Sequence, residues 1–178
     1  MGPGYAEDLH RVGRLSGMCA VTLPSMTDNS ARAIAAAESL GLSYEVTPIP
    51  RVRSLEEAAV ALGIEPRQVT KTLVVRLGDG DYRFVLVPGD RQIAWPKLRA
   101  LLGVSRAAMP PAEEAFEATG YERGTITPLG STTAWPVIAD ELVTGRVNMG
   151  AGAHGVGLMV DGDALVTALG ATVADVTD

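Results

Sequence analysis

The pattern of apolar and polar residues predicts a sheet with a hairpin at its centre. Residues 69–77 form an apolar run rich in β-branched side chains, which suit a pleated, half-buried surface. The turn residues Gly78-Asp79-Gly80-Asp81 follow this run, and residues 82–87 form a second apolar run. We therefore expect the two runs to pair as antiparallel strands.

Helix start and stop signals separate the remaining apolar stretches. Asp28 or Asn29 is expected to cap the first helix and Gly41 to end it, while Ser54 with Glu57 has the spacing of a capping box. The helices are predicted at residues 28–40, 55–62, 96–102, 110–119 and 161–169. The strands are predicted at residues 43–48, 69–77, 82–87, 105–109, 135–139, 146–149 and 156–160.

Short helices scattered among many strands, without a regular strand-helix-strand alternation, indicate a mixed α/β (α+β) fold with a mostly antiparallel sheet. Residues 28–178 are expected to form a single domain. Residues 1–27 have little periodicity and contain turn signals such as Met1-Gly2-Pro3-Gly4, so we expect a flexible N-terminal extension.

Composition narrows the class of protein. The chain has 178 residues, of which 47% are hydrophobic and 20% charged, as in a globular domain with a buried core. Cys19 is the single cysteine and there are two histidines, which argues against disulfides and a metal site and favours the cytoplasm. No cofactor is expected. No apolar run is long enough to span a membrane, so no membrane partner is expected.

Charge is unevenly distributed along the chain. Residues 51–106 hold ten Lys and Arg against six Asp and Glu, whereas residues 107–178 hold two against ten. The basic middle segment can bind the phosphates of a nucleic acid, and the candidates for these contacts are Arg51, Arg53 and Arg67. The net charge of -6 argues against tight binding to duplex DNA.

Candidate chemistry centres on Lys71, the only lysine among the first 96 residues, at the start of the predicted central strand. A lysine at the edge of a sheet can lean over a cleft, although most lysines are simply solvated. The glycines at 150–157 have dinucleotide-like spacing, but a strand rather than a helix follows them, so a pocket wall or a turn is the better interpretation. No Ser-His-Asp or Cys-His arrangement stands out.

Three segments occur together in a recognisable order. They are Glu56-Glu57-Ala58-Ala59 and Leu62-Gly63 with Val69-Thr70-Lys71-Thr72-Leu73, then Gly120-Tyr121 with Gly124-x-x-x-Pro128-Leu129-Gly130, then Gly150-Ala151-Gly152-Ala153-His154-Gly155. In this combination, over roughly residues 29–170, the chain resembles the YbaK and prolyl-tRNA synthetase insertion-domain family of aminoacyl-tRNA deacylases. The resemblance implies a curved, barrel-like sheet.

The resemblance also implies the function and the site. Members hydrolyse the ester that links a wrong amino acid to tRNA, so mischarged tRNA is the expected partner, with a small amino acid on tRNA for proline as substrate and an aminoacyl-tRNA synthetase as a further partner. Lys71 matches the family's lysine and Thr72 beside it adds a hydroxyl, so these two are the expected catalytic residues. The substrate pocket is expected from two segments, namely Gly124, Thr125, Ile126, Thr127 and Pro128 with Gly150, Ala151 and Gly152.

The chain departs from this family at one motif. Many relatives have Ser-Gly-Gly and two basic residues where this chain has Gly150-Ala151-Gly152-Ala153-His154, so a hydroxyl and local charge are lost. An activated ester needs a positioned water and oxyanion stabilisation, and neither a covalent nucleophile nor a metal is expected. Two alternatives remain: a non-catalytic relative that binds an amino acid or a tRNA end, and an unrelated small-molecule hydrolase.

Overall fold

The computed structural model describes residues 27–178, and residues 1–26 of the predicted N-terminal extension lie outside this part. The described chain contains the five α-helices α1 (Asp28–Ser39), α2 (Leu55–Leu62), α3 (Trp95–Leu102), α4 (Ala112–Thr119) and α5 (Gly162–Ala168), and a 3-10 turn at Pro66–Gln68. Its strands are β1 (Tyr44–Pro48), β2 (Val69–Gly78), β3 (Asp81–Pro88), β4 (Val137–Asp140), β5 (Arg146–Gly150), β6 (Val156–Asp161) and β7 (Thr172–Ala174).

The strands form one sheet in the order β1-β6-β5-β2-β3-β4-β7, and the predicted mixed α/β fold is confirmed. The longer pairings, β1 with β6, β6 with β5 and β2 with β3, are antiparallel. The pairings of β2 with β5, β3 with β4 and β4 with β7 are parallel and short. Since β1 and β7 lie at opposite edges, the sheet is open and does not close into a barrel.

Apolar side chains cover both faces of the central hairpin. Val74 and Phe84 face a cluster that includes residues of α1, α4 and α5, whereas Val75 and Val85 face a smaller cluster with Leu98 of α3. Directly opposite residues on β2 and β3 share a face, so the register of the hairpin decides which side chain joins which cluster. The central hairpin predicted from the sequence is thus buried from both sides.

Most helix boundaries follow the sequence signals. Ser54 accepts a hydrogen bond from Glu57 N–H at the start of α2, and Gly63 ends that helix with φ of 66°. The first cap differs from the prediction: Thr27, rather than Asp28 or Asn29, caps α1, in a reciprocal capping box with Ser30. A Ser hydroxyl here takes the role that Glu or Gln usually has.

Two strand predictions differ from the structure. The expected strand at residues 105–109 forms only a single bridge, between Ala108 and Arg76, because Pro110 and Pro111 follow at once and end any extended pairing. The short strand β7 was not predicted, since three residues of which two are exposed carry no alternating apolar pattern.

Candidate functional site

A pocket of about 500 Å³ lies where β2 and β5 separate. Its lining joins residues from β2, β5, the segment before and within α4, and the loop after α4. These residues are Ile49, Val69, Thr70, Lys71, Thr72, Leu73, Val74, Met109, Pro110, Ala112, Ala115, Arg123, Gly124, Ile126, Asn148, Met149 and Gly150. The wall is largely apolar, with a few polar groups along β2, which is typical of a site for a small organic group.

Lys71 lines this pocket, but its ammonium group is engaged elsewhere. Lys71 lies opposite Val87, on the face of the sheet that carries the smaller apolar cluster, and its Nζ donates to the carbonyl oxygen of Arg91. Burial lowers the pKa of Lys71, and the charges of Asp90 and Glu56 partly oppose that shift. The lysine therefore holds its charge less firmly than a solvated lysine, although it is close to the pocket.

Thr70 and Thr72 lie on the other face of β2, with Val74, and also line the pocket. The hydroxyl oxygens of both threonines are buried and have no hydrogen-bond partner within residues 27–178. An unpaired buried hydroxyl costs about 1–3 kcal/mol. Thr72 was predicted as a site residue from the family motif, whereas Thr70 was missed because nothing in the sequence distinguishes it from a strand threonine.

The loop of Gly124 to Pro128 forms the opposite side of the site. Gly124 has φ of 90°, a left-handed conformation that favours glycine, and together with Ile126 it lines the pocket. Thr125 and Thr127 are buried behind the lining, where their hydroxyls bond to main-chain groups of Glu122 and Leu129. The predicted loop thus contributes two pocket residues, while Thr125, Thr127 and Pro128 are not among the lining residues.

The glycine segment that begins at the last residue of β5 reaches the pocket through that residue alone. Gly150 lines the pocket, and a Cβ there would lie 3.2 Å from the Ile126 carbonyl oxygen. Ala151 is fully buried, and Gly152 has φ of 81° and donates its N–H to the carbonyl oxygen of Thr125. Gly152 therefore ties the Gly124 loop to the end of β5, and both Ala151 and Gly152 lie outside the pocket lining.

The predicted phosphate contacts Arg51, Arg53 and Arg67 are exposed, and none of them lines the pocket. The Arg67 side chain pairs with Glu65 at 3.4 Å. Besides Lys71, the pocket lining includes one basic side chain, that of Arg123, which the sequence does not single out because it stands alone in an acidic stretch. The basic groups are therefore spread around the site rather than gathered in it.

His154 lies at the rim of the pocket, since a Cβ on Gly124 would come within 3.7 Å of its Cε1. The Nε2 of His154 is 3.4 Å from the carboxylate of Glu122.

Among residues 27–178 no cluster of three or more His, Cys, Asp or Glu side chains could hold a metal ion. No helix in the same part of the chain is both long and apolar enough to cross a membrane.

A family model and a solved structure that are similar to this chain both concern tRNA editing. The family model of the aminoacyl-tRNA editing domain matches residues 49–168. A solved structure described as a "putative trans-editing enzyme for prolyl tRNA synthetase" superposes with a TM-score of 0.79 at 29% identity, over 86% of this chain and 99% of that one.

Curated relatives include proline-tRNA ligases. The chain is 36% identical over 97 residues to the ligase of Thermosipho melanesiensis, which is 54% of this chain and 17% of the ligase. It is 30% identical over 130 residues to that of Acidithiobacillus ferrooxidans, which is 73% of this chain and 23% of the ligase. The chain therefore spans about a fifth of the length of these relatives. Because the family model matches residues 49–168 and the fold agrees with that of the solved structure, this chain belongs to the aminoacyl-tRNA editing domain family. This family includes the YbaK-like proteins that its motifs resemble.

Proposed function

We propose that this protein hydrolyses the ester of a mischarged tRNA in the cytoplasm, releasing a small amino acid such as alanine or cysteine, with tRNA for proline as the favoured substrate. The observation that carries the proposal is the single pocket lined by Lys71, Thr72, Gly124, Ile126 and Gly150. These residues come from three separate segments of the family motif. A volume of about 500 Å³ is enough for an aminoacyl group and part of the terminal nucleoside.

The reaction needs a water molecule to add its oxygen to the acyl carbon. The bond from that carbon to the ribose oxygen then breaks and the ribose oxygen takes up one proton of the water. The amino acid leaves as a carboxylate, and the second proton passes to solvent. Positioned donors stabilise the negative charge that develops on the carbonyl oxygen. The apolar wall of Ile49, Ile126 and Met149 limits the size of the side chain that enters. Steric exclusion is required, because one methylene is otherwise worth only about 1–3 kcal/mol.

A deacylation assay on a panel of mischarged tRNAs tests the proposal. We expect faster release of alanine or cysteine from tRNA for proline than of proline itself, and Ile126→Ala should extend release to larger amino acids by enlarging the pocket. Ala134→Gly, a change at an exposed loop residue that does not line the pocket, is the control. Release of proline at the same rate as alanine would contradict size selection.

A second candidate function is binding without hydrolysis. Two observations favour it: the Lys71 ammonium is bound to the Arg91 carbonyl oxygen, and the motif around Gly150 lacks the hydroxyl and most of the charge of many relatives. Binding of charged tRNA without release of any amino acid would support this function. Failure of both binding and release would contradict the assignment to tRNA altogether.

A further inference from the structure

The edge of β2 that faces the pocket is only partly paired. β2 pairs with β3 along its length, but it pairs with β5 only at Val69 and Thr70. Further along, Arg76 bridges to Ala108. Between these two points, no strand within residues 27–178 pairs with this edge, and the pocket opens beside it.

The register of the hairpin determines which main-chain groups face this open edge. Arg76 donates its N–H to Ala108 O at 2.8 Å and accepts from Ala108 N at 3.2 Å, so its main-chain groups point away from β3. In an antiparallel pair the main-chain groups of every second residue point to the same side. The N–H and C=O of Thr72 and Val74 therefore point to the open edge.

The partner strand has the matching pattern. Phe84, directly opposite Val74, donates its N–H to Pro136 O at 3.0 Å, on the far side of β3. Neither Thr72 nor Val74 therefore exchanges hydrogen bonds with the residue opposite it. The β2–β5 pairing ends at Thr70, and no loop or turn within residues 27–178 forms a main-chain hydrogen bond to Thr72 or Val74 on the open side.

The side chains at the same place are also unpaired. Thr70 is 4% exposed, and the hydroxyl oxygens of Thr70 and Thr72 are two of the three buried side-chain polar atoms without a partner in the described chain. Both residues line the pocket. Buried polar groups are nearly always hydrogen-bonded, so two such atoms on one pocket wall indicate groups reserved for a ligand. Both oxygens are covered, so a rotation about χ1 is needed to bring them to the pocket surface.

We infer that the open edge of β2 binds the aminoacyl group as a one-residue antiparallel strand would. The C=O of Thr72 accepts a hydrogen bond from the α-ammonium, and the N–H of Thr72 donates to the ester carbonyl oxygen. The hydroxyls of Thr70 and Thr72 provide further acceptors for the ammonium. This inference rests on the proposed function, and it defines the substrate class as esters of amino acids with a free α-amino group.

The geometry assigns a double role to one main-chain group. The Thr72 N–H contacts the ester carbonyl in the bound substrate and the oxyanion that develops from it during hydrolysis. Because these contacts involve only atoms common to all amino acids, the β2 edge does not discriminate between side chains. Discrimination between side chains is left to the apolar wall. An N-acylated ester binds more weakly, because its neutral amide N–H replaces the charged hydrogen bond of the α-ammonium.

The test uses 3'-deoxy-3'-(L-alanylamino)adenosine, in which an amide replaces the ester, and ¹H-¹⁵N NMR of the full chain. We expect the Thr72 amide signal to shift most and its hydrogen exchange to slow on binding. Leu73 and Val75, whose N–H groups point to β3, are internal controls and should change little. The N-acetylated form of the analogue should bind at least about tenfold more weakly, since a charged hydrogen bond is lost.

Variants provide a second readout. Thr70→Val and Thr72→Val keep the side-chain shape and remove an unpaired hydroxyl, so we expect weaker binding of the analogue and no loss in unfolding midpoint. A lower midpoint would show that the hydroxyls support the fold and would overturn their assignment to the ligand.

A shift of the Thr72 amide signal on analogue binding, without deacylation of tRNA, supports this inference and contradicts the proposed function. Deacylation with no change at Thr72, or no binding of the analogue, overturns this inference.

Discussion

Asn148 donates a hydrogen bond from Nδ2 to the hydroxyl oxygen of Thr47 at 2.7 Å, and this bond joins β5 to β1 past β6, which lies between them. Both residues are buried, with exposures of 1% and 7%. The two side chains meet over Gly157, which lies directly opposite Thr47 and has no side chain to separate them. Since Asn148 lines the pocket, the bond fixes one part of its wall.

Replacing Thr47 by Val should lower the free energy of unfolding by about 1–3 kcal/mol. Val has nearly the same shape, so the cost comes from the Asn148 amide, which stays buried without its partner. Urea denaturation measures the change. Thr167→Val is the control, because its hydroxyl bonds to Asp163 O at the exposed surface of α5, and it should cost less than about 0.5 kcal/mol. Equal effects in both variants would contradict a special role for the buried bond.

Replacing Gly157 by Ala should also destabilise the protein, by about 1–3 kcal/mol, through overpacking. The added Cβ would lie 2.8 Å from Asn148 Oδ1 and from Ile49 Cδ1. Both side chains line the pocket, so analogue binding should weaken together with stability. Gly78→Ala, where nothing lies within 4 Å of the new Cβ, is the matched control for thermal unfolding and binding. An unchanged Gly157→Ala variant would show that the wall adapts without cost.

Lys71→Ala should slow deacylation by about a hundredfold, the typical effect of removing one group that stabilises the developing charge. The chain has only one other lysine, Lys97, which pairs with Asp175 at 2.8 Å outside the pocket lining. Lys97→Ala is therefore the matched control and should keep the single-turnover rate. Near-normal deacylation by a folded Lys71→Ala variant would remove this lysine from the proposed chemistry.

The two lysines should also differ in reactivity with pH. Burial lowers the pKa of Lys71, whereas the hydrogen bond to Asp175 raises the pKa of Lys97. The neutral amine is the reactive form, so acylation of Lys71 should reach half of its limiting rate at a lower pH than acylation of Lys97. Peptide mass spectrometry after pulses of an amine-reactive ester over a series of pH values measures both profiles in one sample. The reverse order of midpoints would contradict the burial of Lys71.

The same shift has a consequence for stability. Because the folded-state pKa of Lys71 is below its unfolded value, the unfolded chain binds more protons between the two values. The contribution of Lys71 to stability therefore increases as pH rises through that interval below 10.5. The Lys71→Met variant should lose this increase when urea midpoints of the two proteins are compared over alkaline pH.

Removal of a phosphate-binding arginine should weaken tRNA binding and reduce its salt dependence. We predict this effect for Arg51, Arg53 and Arg67, with a decrease of about 0.7–0.9 in the slope of log K against log salt for each arginine that binds a phosphate. Single-turnover deacylation at saturating tRNA should change little. Arg83→Gln removes the same charge from a side chain paired with Asp81 and is the control. An equal loss of affinity in the control would indicate a general effect of net charge.

The fold could be predicted in large part because local signals agreed with it. The hairpin of β2 and β3, the cap at Ser54 and the left-handed Gly63 were all visible in residue types and spacing. The failures have physical causes. Thr27 falls within the predicted N-terminal extension of residues 1–27, because a capping residue precedes the periodic segment that identifies a helix.

The site could be predicted only as a set of segments. The family motif indicated that Lys71, the Gly124 loop and Gly150 lie together, and all three line one pocket. The motif could not indicate that the Lys71 ammonium bonds to Arg91 O, on the face of β2 opposite Thr70 and Thr72. It also could not reveal the open edge of β2, because this depends on a parallel pairing of only two residues with β5.

The long-range pairing of β1 with β6 makes the pocket a late product of folding, because Ile49, which directly follows β1, lines the pocket. Each of the two hairpins, β2 with β3 and β5 with β6, is built from local contacts and can form early. β1 is made first but pairs with β6, and residues as distant as Thr47 and Asn148, 101 positions apart, must meet. Non-local contacts of this kind form slowly. During synthesis, the amino-terminal strand must therefore wait for the β5–β6 hairpin, and no nascent chain that ends before residue 156 can have a complete site.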